Sequence, residues 1–367
     1  MKVFFLTNYP SPYRVDFFNL LGRQVDLTVA FTEKPADQMH RSSEWFNEDY
    51  SGFRAVFLND RIRIGGITVC RDVFTLLKEN FNYIILGGYS GGTQMAAIEY
   101  MRLHKIPFAI EADGGLISKE SRIRYWIKKH LIGSASTWFS SGKTTSDYFI
   151  HYGAASKRII TYPFTSQSEK DVEDAGRSEE KDKEGLLKSL DIREQRMVLS
   201  VGQMIPRKGI DVLLKAAQKL PDDLAVLIIG GTPTNELLSL KKELKLDHVY
   251  FEEFKVKQEL ARYYRAAELL VMPTREDIWG LVINEAMSFG LPVVSTDRCV
   301  AALELVENDV NGMIVPSDNP DALAAGILHV LESDRKAMRH QSLLKIQDYT
   351  IENMVEAHMR FFKRINN

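Results

Sequence analysis

Cysteine is scarce: the chain of 367 residues holds two, Cys70 and Cys299, far apart and outside any C-x-x-C pattern. That excludes a disulfide framework and a zinc knuckle, and it fits a reducing cytosol. Long apolar runs are missing as well. The opening MKVFFLTNYP turns polar after one strand-like run, and no stretch approaches the roughly 20 residues a membrane-spanning helix requires. A cytoplasmic protein without signal peptide or anchor is expected. Nor is there a surplus of one charge, since the net charge is only -2, so nucleic acid is not the expected partner. The eight histidines are scattered and no H-E-x-x-H occurs, which gives a metal site no support.

What is present is alternation. Apolar β-rich runs at 3–7, 25–31, 82–88 and 107–112 are separated by helical patterns, and a second series restarts at 197–202, 225–231, 249–254, 269–274, 292–296 and 312–316. Continuous apolar strands alternating with helices predict parallel sheets covered on both faces. We therefore expect an α/β protein of two Rossmann-like, doubly wound domains whose strand ends face a shared cleft. Residues 1–165 form the first domain, 197–345 the second, and 346–367 a C-terminal helix packing back on the first. Between them, 166–196 is dense in charge of both signs and poor in aromatics. It reads as an exposed connection or as a charged helix on the surface of one domain.

Two stretches of the second domain carry chemistry. In VGQMIPRKGIDVLLKAA, 201–217, a strand ends at Gly202 and a short loop brings Arg207, Lys208 and Gly209 to a helix start. Backbone donors, helix dipole and side-chain charge share one sign there, as a phosphate or diphosphate site needs; two solvated cations in a turn would look the same. The spacing is not that of a P-loop. In TREDIWGLVINEAMSFGLPVVST, 274–296, Asp277 lies in a loop after a strand and Glu285 about one and a half turns into the following helix. Asp277 can accept sugar hydroxyls and Glu285 both hydroxyls of a vicinal diol, while the amides around Trp279, Gly280, Leu281 and Val282 stand at the helix start. Glu285 could instead simply complement the macrodipole. A diphosphate site followed by two hydroxyl acceptors describes a nucleotide sugar.

GQMIPRKG and EDIWGLVINEAMSFGLPVV, in that order with FEEFKVKQELARYYRAAELLVMPT between them, resemble the C-terminal domain of family 4 glycosyltransferases, retaining enzymes of GT-B fold. The resemblance covers about residues 197–330. It implies donor binding in this half, with Lys208 on the diphosphate, Asp277 near the donor sugar and Glu285 on the ribose, and no catalytic metal. The sequence departs from the family at two points. The family's first acid is usually Glu, so Glu276 beside Asp277 is an alternative, and an arginine common after the first loop glycine is Gln203 here, which shifts diphosphate charge onto Arg207 and Lys208.

The first half is similar to the family in plan more than in sequence. TNYPSPYRVDFFNLL, 7–21, sets a Pro-rich loop after the first strand and lacks the G-x-G-x-x-G of a dinucleotide site. Asn8, Tyr13 and Arg14 are candidates for the acceptor side, or they cap and pack the first helix. EADGG, 111–115, ends another strand; its Asp113 could accept a hydroxyl or orient an acceptor nucleophile, or serve as a turn residue. KESRIRYWIKKHLIG, 119–133, is a basic amphipathic pattern that suits an anionic membrane surface, or an ordinary surface helix with a buried stripe. The resemblance implies a retaining glycosyltransferase moving a sugar from a nucleoside diphosphate sugar to a saccharide or lipid-linked acceptor. A nucleotide-sugar-binding subunit and a GT-B epimerase are the alternatives.

Overall fold

The computed structural model describes residues 1–35, 48–176 and 183–366, which form two compact units, Met1–Phe164 with Ile351–Asn367, and Thr165–Thr350. In the first unit the strands are β1 (Lys2–Thr7), β2 (Asp26–Phe31), β3 (Arg54–Phe57), a hairpin of β4 (Arg61–Ile64) and β5 (Ile67–Cys70), then β6 (Tyr83–Gly87), β7 (Ala109–Ala112), β8 (Thr137–Ser140) and β9 (Ile159–Thr161). Seven of these make one parallel sheet in the order β3-β2-β1-β6-β7-β8-β9. The C-terminal helix Ile351–Asn366 packs on this unit, against the helix Pro12–Gly22 and β9.

In the second unit β10 (Arg196–Val201), β11 (Leu224–Ile229), β12 (Val249–Glu252), β13 (Leu270–Met272), β14 (Val293–Thr296) and β15 (Gly312–Val315) form a parallel sheet ordered β12-β11-β10-β13-β14-β15. Every residue of β11 is buried, as is every residue of β13 and β14. This is why β11 and β13 are continuous apolar runs, and β14 opens on Val293 and Val294, rather than alternating sequences. Each such side chain contributes roughly 1.5 to 3 kcal/mol on burial.

Both sheets share the order of a Rossmann fold, in which the chain runs outward from a central strand and then reverses. The reversal lies between β1 and β6 in the first sheet and between β10 and β13 in the second. At such a switch point, two loops at the carboxyl ends of neighbouring strands diverge and leave a crevice.

The expected connection at 166–196 is largely part of the second unit. Glu169–Gly176 is a helix whose Val172 and Ala175 are buried and whose Asp171 pairs with Lys257 at 2.8 Å. Lys183–Ser189 is a second helix, packed on the helix Lys257–Ala266. Two apolar positions three residues apart suffice to seat a highly charged helix. Residues 177–182 of that stretch lie outside the described residues. Among the described residues, no helix is long and apolar enough to cross a membrane.

Candidate functional site

The loops that follow β10 and β13 are joined backbone to backbone. After Gly202 the chain makes a 3-10 turn, Pro206–Lys208, and enters the helix Ile210–Ala217 through Gly209 at φ 68°. A Cβ at Gly209 would lie 2.0 Å from the carbonyl oxygen of Pro273, so only glycine lets the two loops touch. Three contacts then fix them: Arg275 N donates to Arg207 O at 2.8 Å, Thr274 Oγ1 to the same carbonyl at 2.9 Å, and Arg275 Nη1 to Pro206 O at 2.6 Å. The Arg275 guanidinium is itself held by both oxygens of Asp211, at 2.8 and 2.7 Å, and by Asp318.

This brings Arg207, Lys208, Glu276 and Asp277 together. Lys208 Nζ donates to Asp277 Oδ2 at 2.5 Å, and Arg207 Nη1 stands 3.8 Å from Asp277 Oδ1 and 3.2 Å from the Glu276 carbonyl oxygen. Asp277 is buried and pinned by its backbone, its N–H on Arg298 O and its C=O taking Val300 N–H. Its carboxylate therefore orients Lys208, while the Glu276 side chain is exposed. Gln203 is exposed on the first loop.

Gly280, at φ 107°, starts the helix Leu281–Ser288, and a Cβ there would come within 2.9 Å of Cys299 Sγ. The first amides of this helix, at Leu281 and Val282, have no partner within it by geometry. The Trp279 ring is a different matter. It is buried, with Nε1 donating to Asn284 Oδ1 at 2.8 Å, and its carbonyl takes Ala301 N–H and Cys299 Sγ. The indole is thus an anchor of the helix start, because a large apolar ring follows burial; the expectation at this position concerned the backbone amides, not the ring.

Glu285 is half-buried, with Tyr264 donating to Oε2 at 2.8 Å and Ser166 to Oε1 at 3.4 Å. Burial raises its pKa, and Asp171 adds to the rise against the opposing effects of Tyr264, Lys257 and Ser166. Each oxygen retains a free lone pair, so the carboxylate can still take two hydroxyls of a diol. Tyr264 is stacked on Phe289, with centroids 5.4 Å apart. Sequence reasoning missed Tyr264, Ser166 and Arg275, since their partners lie 21, 119 and 64 residues away.

In the first unit Asn8 follows β1 and Gln94 sits in the helix after β6; Gln94 Nε2 donates to Asn8 Oδ1 at 2.7 Å, which ties the two loops of that switch point. Arg14 is not free to meet a ligand. Its guanidinium is buried, one nitrogen on Glu111 and another on Asp113. The expectation of an acceptor-side Arg14 is corrected accordingly: two carboxylates at the end of β7 claim its donors. Beyond Glu111 stands His358, fully buried, with Nε2 2.8 Å from Glu111 Oε2 and Nδ1 2.8 Å from the Met354 carbonyl. Both neighbours offer oxygens to the ring, so Arg14, His358, Glu111 and Asp113 form one connected quartet.

Burial alone would raise the Glu111 carboxyl; Arg14 and His358 outweigh it and hold the pKa down at about 2. Asp113 is raised, chiefly by burial, and Tyr162 Oη stands 3.4 Å from its Oδ1. Its side chain is 30% exposed, the only member of the quartet that reaches solvent appreciably. Tyr13 packs edge-on against Phe164 at 5.6 Å, and burial raises its hydroxyl. Among the described residues no cluster of three or more His, Cys, Asp or Glu could hold a metal ion.

The chain is 38% identical over 148 residues to a D-inositol 3-phosphate glycosyltransferase of Mycolicibacterium gilvum, covering 38% of this chain and 33% of that protein. An uncharacterized glycosyltransferase of Haemophilus influenzae is 30% identical over 170 residues, covering 44% of this chain and 48% of that protein. The chain thus spans between a third and a half of the curated relatives it matches. The solved structure of Anabaena Alr3699/HepE in complex with UDP superposes with a TM-score of 0.79 at 17% identity, over 99% of this chain and 100% of that one. Residues 182–342 match the family described as Glycosyl transferases group 1, and they sit in a chain whose two Rossmann-like domains have the GT-B fold.

Proposed function

We propose that the protein is a retaining glycosyltransferase that moves a sugar from a nucleoside diphosphate sugar to a hydroxyl of a saccharide or lipid-linked acceptor, in surface polysaccharide or glycolipid synthesis. The observation that carries this reading is the pairing of the β10 and β13 loops, which sets Lys208 and Arg207 beside Glu276 and Asp277 at the switch point. As the acceptor oxygen bonds to the anomeric carbon, the bond from that carbon to the diphosphate breaks with its electron pair staying on the leaving oxygen, which takes up the acceptor's proton, and these two cations and the Leu281 and Val282 amides meet the charge that develops. Glu285 takes the ribose diol, and Glu276, the exposed carboxylate, takes the transferred sugar while Asp277 holds Lys208 in place. Asp113 and Asn8 orient the acceptor. Uridine is the favoured base, supported by the Anabaena fold neighbour solved with UDP; the retaining outcome rests on the motif resemblance.

Calorimetric titration of the full chain with UDP, GDP and ADP sugars tests the reading. One class should bind, and Lys208→Ala and Glu285→Ala should each weaken it by about 1 to 3 kcal/mol. Absence of binding by folded protein defeats the donor site. Binding with no turnover on any acceptor would instead make the chain a nucleotide-sugar-binding subunit.

A further inference from the structure

The helix Arg122–Ile132 begins properly, with Ser121 Oγ accepting the Arg124 N–H, yet it buries only Leu131 and Ile132. Its other apolar residues point outward: Ile123 is 74% exposed, Trp126 61% and Ile127 48%. They fall at i, i+3 and i+4, one face of a helix. With Met95 and Ala96 of the helix Gly92–Leu103, and Leu131, they line an open groove of about 600 Å³ whose walls are almost wholly apolar. A ridge of this kind left in water is unfavourable and marks a contact surface.

Around it cations outnumber acids. Segment 119–130 contains Lys119, Arg122, Arg124, Lys128 and Lys129 against a single acid, Glu120, in a chain whose net charge is -2. Glu120 is already held by Lys128 at 2.8 Å and by Tyr152, with the exposed Arg124 more loosely at 4.0 Å. Glu99, at the groove rim, is held by Arg102 and His130, each at 2.6 Å. Lys119, Arg122 and Arg124 are exposed, and Lys129 Nζ lies 5.1 Å from the Trp126 ring.

We infer that this helix is a docking face for an anionic lipid bilayer, with Ile123, Trp126 and Ile127 entering the interface and the flanking cations meeting the headgroups. Apolar residues, an interfacial Trp and cations on one short helix are what such a surface selects. A second copy of the chain is the weaker occupant. A two-fold contact through this face would set Arg122 and Arg124 against their own copies. The inference stands on the first unit alone and goes beyond the donor reading.

The test is co-sedimentation of the full chain with vesicles of phosphatidylcholine and with vesicles containing phosphatidylglycerol. Binding is expected only with phosphatidylglycerol and should weaken with salt. Ile123→Ser with Trp126→Ser, and separately Arg122→Glu with Arg124→Glu, should each lower it by about tenfold or more. These positions are exposed, so the variants should fold, and nucleotide titration should be unchanged in both. No binding to phosphatidylglycerol vesicles, or binding that neither variant alters, overturns the inference. So does a dimer in sedimentation velocity that the Ile123→Ser, Trp126→Ser variant abolishes, because the face would then belong to a second copy.

Discussion

Arg14 sits in the first turn of its helix, where a positive charge opposes the macrodipole, and it is nevertheless buried. The compensation is Glu111 and Asp113, 97 and 99 residues away. Removing one partner of a buried pair strands the other, so Arg14→Met should cost about 3 to 5 kcal/mol in chemical denaturation. The pH dependence follows from Glu111, whose folded pKa of about 2 lies below the ordinary 4.5. Between those values the unfolded chain binds the extra proton, so this contribution is full above 4.5 and fades as pH falls toward 2. The acid limb of a melting-temperature profile should be shallower in Arg14→Met; an unchanged limb would remove Arg14 as the cause. From the sequence, Arg14 was a basic residue near a loop and Trp279 an aromatic beside a helix start. Their partners are set by tertiary packing, which no local pattern encodes. Lys208 and Asp277 could be placed from the sequence at the ends of two strands, and the fold brings those two side chains together.

At the level of elements, the contact between the β10 and β13 loops depends on a missing side chain. Gly209→Ala would bring both a positive-φ cost and a Cβ within 2.0 Å of Pro273 O. Nucleoside diphosphate affinity should fall by about tenfold, or 1.4 kcal/mol. Gly66→Ala is the control: φ is 86° there and nothing lies within 4 Å, so it should lower stability slightly and leave affinity alone. Equal affinity in Gly209→Ala would show that the loops can part without consequence. The long buried strands, β1, β2, β10 and β11, were legible as unbroken apolar runs. The segments β3, β8 and β9 were not, nor was the β4–β5 hairpin, whose described residues are largely exposed.

Across the whole molecule one plan appears twice, a parallel sheet that reverses direction beside its first strand. The alternation of strands and helices announced that plan, but not which helices would return to which unit. Charge density alone made 166–196 look like a connection, whereas two buried positions seat Glu169–Gly176 on the second unit. The central claim is that the second switch point holds a nucleoside diphosphate, and hydrogen exchange of the full chain with and without saturating UDP tests it most directly. The account predicts slower exchange concentrated in residues 202–210 and 274–288, where the β10 and β13 loops meet and the Glu285 helix begins. Protection absent from both stretches, or confined to the first unit, would contradict it.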